Sequence, residues 1–237
     1  SGAFKSFDVA LKKLTAWIPV SNDMLDLGAS WLDRYVREIL AEALWVGMET
    51  GVVSGDGLNC PIGMCKDVSS SASVVGGKYP DQKTVALNEL SPEAIGAIAA
   101  QLTKTEAGNN RPLDNLIFVV NPKTYLTKVM PATTNFVQGK WVNDVMPIPC
   151  TIIQSCAVPD DRAIFGLGKR YFMGLGMAKG GKLEFDDSFK FLDDARTYKI
   201  KTYGNGKPLD SNAFRYLDIS KLKRFIPTVY TVTPSET

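Results

Sequence analysis

The sequence predicts an α+β protein. One long amphipathic helix lies early in the chain, a mixed block with shorter capped helices follows, and strands dominate from Pro147 onward. Composition agrees with a globular chain: 237 residues, 45% hydrophobic and 22% charged, give one to two domains at ~150 residues each. Lys+Arg 27 against Asp+Glu 25 leaves a net charge of +2, without the basic excess of a nucleic-acid-gripping protein. There is no histidine, which removes Ser-His-Asp and Cys-His catalysis and His-ligated metals. An enzyme built on this chain would have to work with carboxylates, lysine, cysteine or tyrosine.

Taken in order, Phe4, Phe7, Val9, Leu11, Leu14, Ala16 and Ile18 alternate with polar residues, so Ala3–Pro19 reads as extended. An apolar extended arm without a partner in its own chain is expected to pack on another subunit, which makes Phe4, Lys5, Phe7, Lys12 and Lys13 inter-subunit contact candidates. Because the chain opens in mid-strand, we expect it to be N-terminally truncated or processed. The long helix is predicted over Ser30–Val53, with Ser30 as N-cap and Gly55 just past the end. Its apolar positions are Leu32, Val36, Ile39, Ala43, Val46 and Val53, flanked by Trp31, Tyr35, Leu40, Leu44 and Met48; an Asp33–Arg37 pair lies four apart. At ~1.5 Å per residue it spans roughly 36 Å, a spine for other elements.

Ser54–Met64 is a dense turn segment. Ser91 caps a helix with Pro92 at its first position and a buried face of Ile95, Ile98 and Leu102. Leu116–Val120 reads as a buried strand, and Asn121-Pro122 opens a short helix through Met130 that Pro131 ends. Strands are expected over Thr151–Ser155, Ala163–Leu167, Arg170–Leu175, Lys182–Phe185 and Tyr198–Tyr203, then a Gly204-Asn205-Gly206 turn and a strand over Ala213–Leu217.

Chemistry-bearing motifs are weak. Gly176–Lys182 fits GxxxxGK, but Leu183 replaces the metal-binding hydroxyl and begins a strand, so it reads as a turn. Asp186-Asp187 and Asp193-Asp194 read as solvated turn charges, because neighbours in a strand point to opposite faces. Ser21 and the Ser188/Lys190 pair read as caps and turns. Lys12-Lys13, Lys169-Arg170 and Lys221, Lys223, Arg224 read as solvated faces. Cys60, Cys65, Cys150 and Cys156 have neither zinc nor thioredoxin spacing and are expected to be free thiols. The longest apolar run, Leu116–Val120, is far short of the ~20 residues of a membrane span, and Ser1–Asp8 lack a basic segment leading into an apolar core. No catalytic residue, metal or cofactor is expected.

The segment Lys13–Leu25 (KLTAWIPVSNDML), with Trp17, Ser21 and Leu25, followed by the long helix, Gly55-Asp56-Gly57 and Pro61-Ile62-Gly63-Met64, resembles the major capsid proteins of tailed bacteriophages with the Hong Kong 97-type fold. Phe118–Tyr125 (FVVNPKTY), with Asn121, Pro122 and Tyr125, is similar to that family's strand and Asn-Pro helix start; Ala213-Phe214 is similar to its late hairpin. The resemblance runs from about Leu11 to Arg224. It implies residues 1–16 as the returning half of an extended loop, 17–62 and 178–213 as a peripheral domain, 63–177 and 214–230 as an axial domain, and 231–237 as a tail. It further implies a non-enzymatic shell protein of a phage or prophage that self-assembles into hexamers and pentamers of an icosahedral head. Its implied partners are portal, scaffold or phage protease, and weakly held double-stranded DNA, with no membrane; assembly takes place in the bacterial cytoplasm and the product is the virion. Some members crosslink through a loop lysine and an asparagine helped by a glutamate. Here those last two positions fall at Asp194 and Lys201, so no crosslinking is expected. An encapsulin-like nanocompartment shell is the alternative, and an α+β enzyme using carboxylate or lysine chemistry a more distant one.

Overall fold

The computed structural model describes residues 10–26, 28–176 and 182–226. The expectations for Phe4, Lys5 and Phe7, for most of the GxxxxGK segment and for 231–237 lie outside the described residues. Strand β1 (Lys12–Ser21) leads through a short helix α1 (Asn22–Asp26) into the long helix α2 (Ala29–Ser54). After a loop come β2 (Val85–Ala86), α3 (Pro92–Leu102) and β3 (Leu116–Val120). A helical stretch follows, made of α4 (Pro122–Thr124), a π-helical turn (Tyr125–Val129) and α5 (Met130–Thr133). The remainder is β4 (Asn135–Val137), β5 (Lys140–Val142), β6 (Thr151–Gln154), β7 (Arg162–Leu167), β8 (Tyr171–Leu175), β9 (Lys182–Lys190), β10 (Ala195–Pro208) and β11 (Phe214–Asp218).

Two main sheets organise these elements. In the first, β10 is central: β1 lies along one side, while β9 and β8 pair end to end along the other, all antiparallel. The second runs β2-β11-β7-β3-β6, with the β2–β11 and β3–β6 pairs parallel. β4 and β5 form a separate hairpin. Leu14, Ala16, Ile18 and Val20 of β1 face α2, where Leu32, Val36, Leu40 and Leu44 meet them together with Tyr198 and Ile200 of β10. A second core joins the sheets, packing Val53 of α2 and Tyr171 of β8 against Ile117, Val119, Ile164 and Phe214. The third fills the space between α3 and the five-stranded sheet around Ile95, Leu102, Phe118 and Phe165.

Several local expectations hold for the reasons given. Ser91 Oγ accepts from the Ala94 amide at 3.2 Å, and Ile95, Ile98 and Leu102 are buried. All five residues of β3 are buried, as in a strand covered on both faces. Asn121 accepts from the Lys123 amide at 2.9 Å, and Arg37 pairs with Asp33 at 2.8 Å.

Others are corrected. Helix α2 begins at Ala29, so Ser30 is already helical and Gly28 occupies the cap position. Its buried row is Leu32, Val36, Leu40 and Leu44, whereas Ala43 and Val46 are exposed and Ile39 is half-buried. A helix lying on a sheet buries one i, i+4 row, and here it is the row with the larger leucines. Pro131 does not end its helix: the Met130 amide reaches back five residues to Tyr125 O, and this wider turn leaves room for the proline ring. Gly204-Asn205-Gly206 is not a turn but lies within the C-terminal part of β10, where β8 pairs with it. A Cβ on Gly206 would lie 2.7 Å from Phe172 O, so glycine there permits close approach of β8. The chain actually turns at Leu209–Asn212, outside the expected site.

All four cysteines are free. Cys65 is buried, its thiol directed at Asp81 at 3.7 Å, and burial pushes its pKa up to about 12. At pH 8 a thiol reagent is therefore expected to label exposed Cys156 quickly and Cys65 only on unfolding; equal rates would contradict this.

Candidate subunit interfaces

The alternation of β1 that packs half-buried Leu14 and buried Val20 toward α2 turns Lys13, Thr15 and Trp17 to the opposite face of the sheet. Register sets Trp17 beside Lys199, and Lys199 beside Glu184, so the three lie in a row across β1, β10 and β9. Trp17 is 59% exposed, and its ring meets Phe189 edge-on at 6.5 Å. Phe185, Phe189, Phe191 and Leu192 are all exposed on the β9–β10 hairpin, Leu192 at 96%. Within the shallow groove that Trp17 and Phe189 flank, Thr197 Oγ1 is buried without a hydrogen-bond partner among the described residues. An unpaired buried hydroxyl costs about 1–3 kcal/mol, a penalty removed when a covering chain supplies the bond.

Ionic contacts hold the surroundings of this groove. Glu184 bridges Lys201 at 2.6 Å and Lys199 at 3.3 Å, and the Lys201 ammonium, with help from Lys199, draws its carboxyl down to about 2. A depressed carboxylate favours the folded state above its ordinary pKa near 4.5, and that contribution fades as pH falls toward 2. A carboxyl titration followed by NMR should give a Glu184 midpoint near 2, moving upward in Lys201→Ala; a midpoint near 4.5 in the parent would refute the pairing. Arg196 binds Asp187 through two nitrogens, at 2.6 and 3.0 Å, and lies over the Phe185 ring at 4.9 Å.

The groups weighed for catalysis are dispersed. Ser188 Oγ donates to Asp186 at 2.5 Å, while Lys190 pairs with Asp193 at 2.6 Å, so no Ser–Lys couple forms. Asp186 and Asp187 serve separate partners, and no metal-holding cluster of His, Cys, Asp and Glu occurs among the described residues. Asp194, at φ 47°, receives the Asn22 amide on its carbonyl at 2.9 Å and the Asn22 side chain on Oδ1 at 2.7 Å.

The motif positions are found in tight packing. Gly55 follows α2, where a Cβ would fall 2.3 Å from Pro61 O; a Cβ on Gly63 would fall 2.7 Å from Val53 O. Asp56 receives the Leu58 amide and the Cys60 thiol, Gly57 takes φ 86°, and the loop through Pro61 folds back on the helix end. Pro122 is the first residue of α4, and Tyr125 donates to Asp144 at 2.8 Å. Ala213 and Phe214 are fully buried. Ser21 ends β1 and Leu25 lies in α1. Of the contact candidates, Lys12 donates to Leu58 O of its own chain at 2.8 Å, and Lys13 is exposed.

Sequence reasoning missed the hairpin aromatics, because β9 was expected to stop at Phe185. Phe185, Phe189 and Phe191 in a stretch otherwise read as charged turns were the available signal. The outward face of α2 is a second missed surface: Trp31, Tyr35, Trp45 and Val46 are all half exposed or more.

The family model of the phage capsid family matches residues 1–219. No curated protein matches by sequence. Among solved structures, the capsid of a native GTA particle is similar with TM-score 0.59 and 18% identity, over 88% of this chain and 72% of that chain. The holo-SrpI encapsulin complex from Synechococcus elongatus PCC 7942 gives 0.57 and 14%, over 93% and 78%. Gordonia phage Cozz gives 0.54 and 18%, over 88% and 70%. At such identities these likenesses show the fold, which is the Hong Kong 97-type shell fold. The match over residues 1–219 shows the lineage: this chain belongs to the phage capsid family and is a structural shell protein rather than an enzyme.

Proposed function

We propose that this protein is the head-shell subunit of a tailed phage or prophage, closing as hexamers and pentamers into an icosahedral head around double-stranded DNA. The carrying observation is the outward face of the four-stranded sheet, where Trp17, Phe189 and the Thr197 hydroxyl, unpartnered among the described residues, await a cover. The extended loop of a neighbouring copy is the occupant this reading assigns; Lys12–Ala16, expected as part of that loop, instead pair with β10 of their own chain. The four-stranded sheet with α2 is the peripheral domain and the five-stranded sheet with α3 the axial one; β8 goes with the former by its pairing to β10. DNA contact is weak and non-specific, in keeping with a net charge of +2, and the partners this reading assigns during assembly in the bacterial cytoplasm are portal, scaffold or phage protease. Electron microscopy of the purified assembly should show closed particles of uniform diameter containing nuclease-protected DNA.

The similarity to an encapsulin at a TM-score of 0.57 keeps a protein-filled nanocompartment as the second reading. Particles that hold a protein cargo and no DNA would select it. Neither the Asp194 nor the Lys201 position suits an isopeptide crosslink, so mature particles should run as single subunits on a denaturing gel. A covalent ladder would contradict this.

A further inference from the structure

The β4–β5 hairpin is built without a core. None of its six strand residues is buried, and its turn takes positive φ at both Gln138 (50°) and Gly139 (77°), as a two-residue hairpin turn requires. Phe136 and Trp141 pair across one face with ring centroids 4.9 Å apart, yet remain 58% and 68% exposed. Val137 and Val142 are exposed on the other face. Its ties to the rest of the chain lie at its base, where Arg224 donates to Asn135 at 3.1 Å and the Val145 amide to Thr133 O at 3.0 Å. An isolated two-stranded hairpin is marginal in water, and apolar side chains on both faces call for two covers rather than one.

We propose that this hairpin is an inter-subunit wedge whose occupant is a second copy of this chain, with Phe136 and Trp141 as the anchor. One face is aromatic and the other carries Val137 and Val142 beside Asn135 and Lys140, so exposed apolar groups point both ways, as suits a head-to-tail ring in which every subunit has a neighbour on each side. The area points the same way. The two rings leave roughly 250 Å² of apolar surface in water, well under the ~800 Å² per partner of a stable pair. Contact through the hairpin alone therefore does not hold a dimer; it adds to other contacts once a ring closes. This inference rests on the shell reading above and names one of its surfaces.

The test compares parent protein with Phe136→Ser/Trp141→Ser, following particle formation against concentration by sedimentation. Hydrogen exchange of the parent's amides 135–142 is measured in particles and in dissociated subunits. We expect the variant to raise the threshold concentration at least 10-fold, and the parent's hairpin amides to exchange slowly in particles and fast in subunits. An unchanged threshold overturns this inference alone. So does equal protection of the hairpin in dissociated subunits, which would mean that residues 227–237 or another part of the same chain cover it. Parent protein that forms no particles overturns the shell reading and this inference together. The exchange measurement needs no variant, so misfolding of the double substitution leaves the proposal falsifiable.

Discussion

Replacing Arg111 by alanine should destabilise the protein by about 3–5 kcal/mol, the usual cost of breaking a buried ion pair from one side. The guanidinium is nearly enclosed. Its Nε donates to Leu102 O at 2.6 Å, Nη1 to Asp210 at 2.5 Å and Nη2 to Asn212 O at 2.7 Å. Leu102 is the last residue of α3, so one of these bonds satisfies a carbonyl the helix itself leaves open. The other two hold the turn joining β10 to β11, and hence one sheet to the other. Alanine would strand Asp210 and two carbonyls together. Asp210→Asn, which keeps an acceptor for Nη1, should cost clearly less. Urea denaturation checks both, and a loss below about 1 kcal/mol for Arg111→Ala would show that the pair is not what fixes the turn.

Phe214→Ala should cost a similar amount, about 3–5 kcal/mol, as a large aromatic deleted from a closed core. Phe214 is fully buried, meets Tyr171 edge-on at 6.4 Å, and belongs to the core that includes Val53 of α2. The void would have little means of collapsing, because Phe214 is held in register with Gly166 of β7 and its neighbours Ile117, Val119 and Ile164 are fixed in paired strands. The same tightness makes the reverse change harmful. A Cβ on Gly166 would lie 2.4 Å from both Ala213 O and the Phe214 ring, so Gly166→Ala should destabilise by overpacking. Phe214→Leu, which keeps most of the volume, should recover much of the loss. If Phe214→Ala melts with the parent, the sheets are not held together through this core.

What the sequence revealed and what it concealed divide along physical lines. Caps written in adjacent residues were readable, as at Ser91-Pro92 and Asn121-Pro122, because the bonds close within three residues. Leu116–Val120 was readable because a strand covered on both faces needs an unbroken apolar run. Pro131 and Gly204–Gly206 were misread because their tolerance comes from elsewhere: the wide turn before the proline, and the close approach of β8 to β10. β2 has only two residues and exists through its pairing with β11, which no local pattern announces. The β4–β5 turn uses Gln138-Gly139 in place of the Asn-Gly that marks such hairpins. At the candidate site, Lys13 was legible as a contact candidate, whereas Trp17 entered only through the family resemblance and its exposure was not anticipated. The Thr197 hydroxyl, without a partner among the described residues, and the Glu184 bridge arise from cross-strand register across 11 residues or more, beyond what periodicity reports.

Strand β10 has a mechanical consequence. Its 14 residues, at ~3.3 Å each, make an arm about 46 Å long, with Asp194 just beyond one end and the Arg111-held turn just beyond the other. Seen as a lever pivoting on that turn, one degree of tilt moves the hairpin end by about 0.8 Å, enough to make or break a hydrogen bond there. Small errors at the pivot are thus magnified at the exposed β9–β10 hairpin.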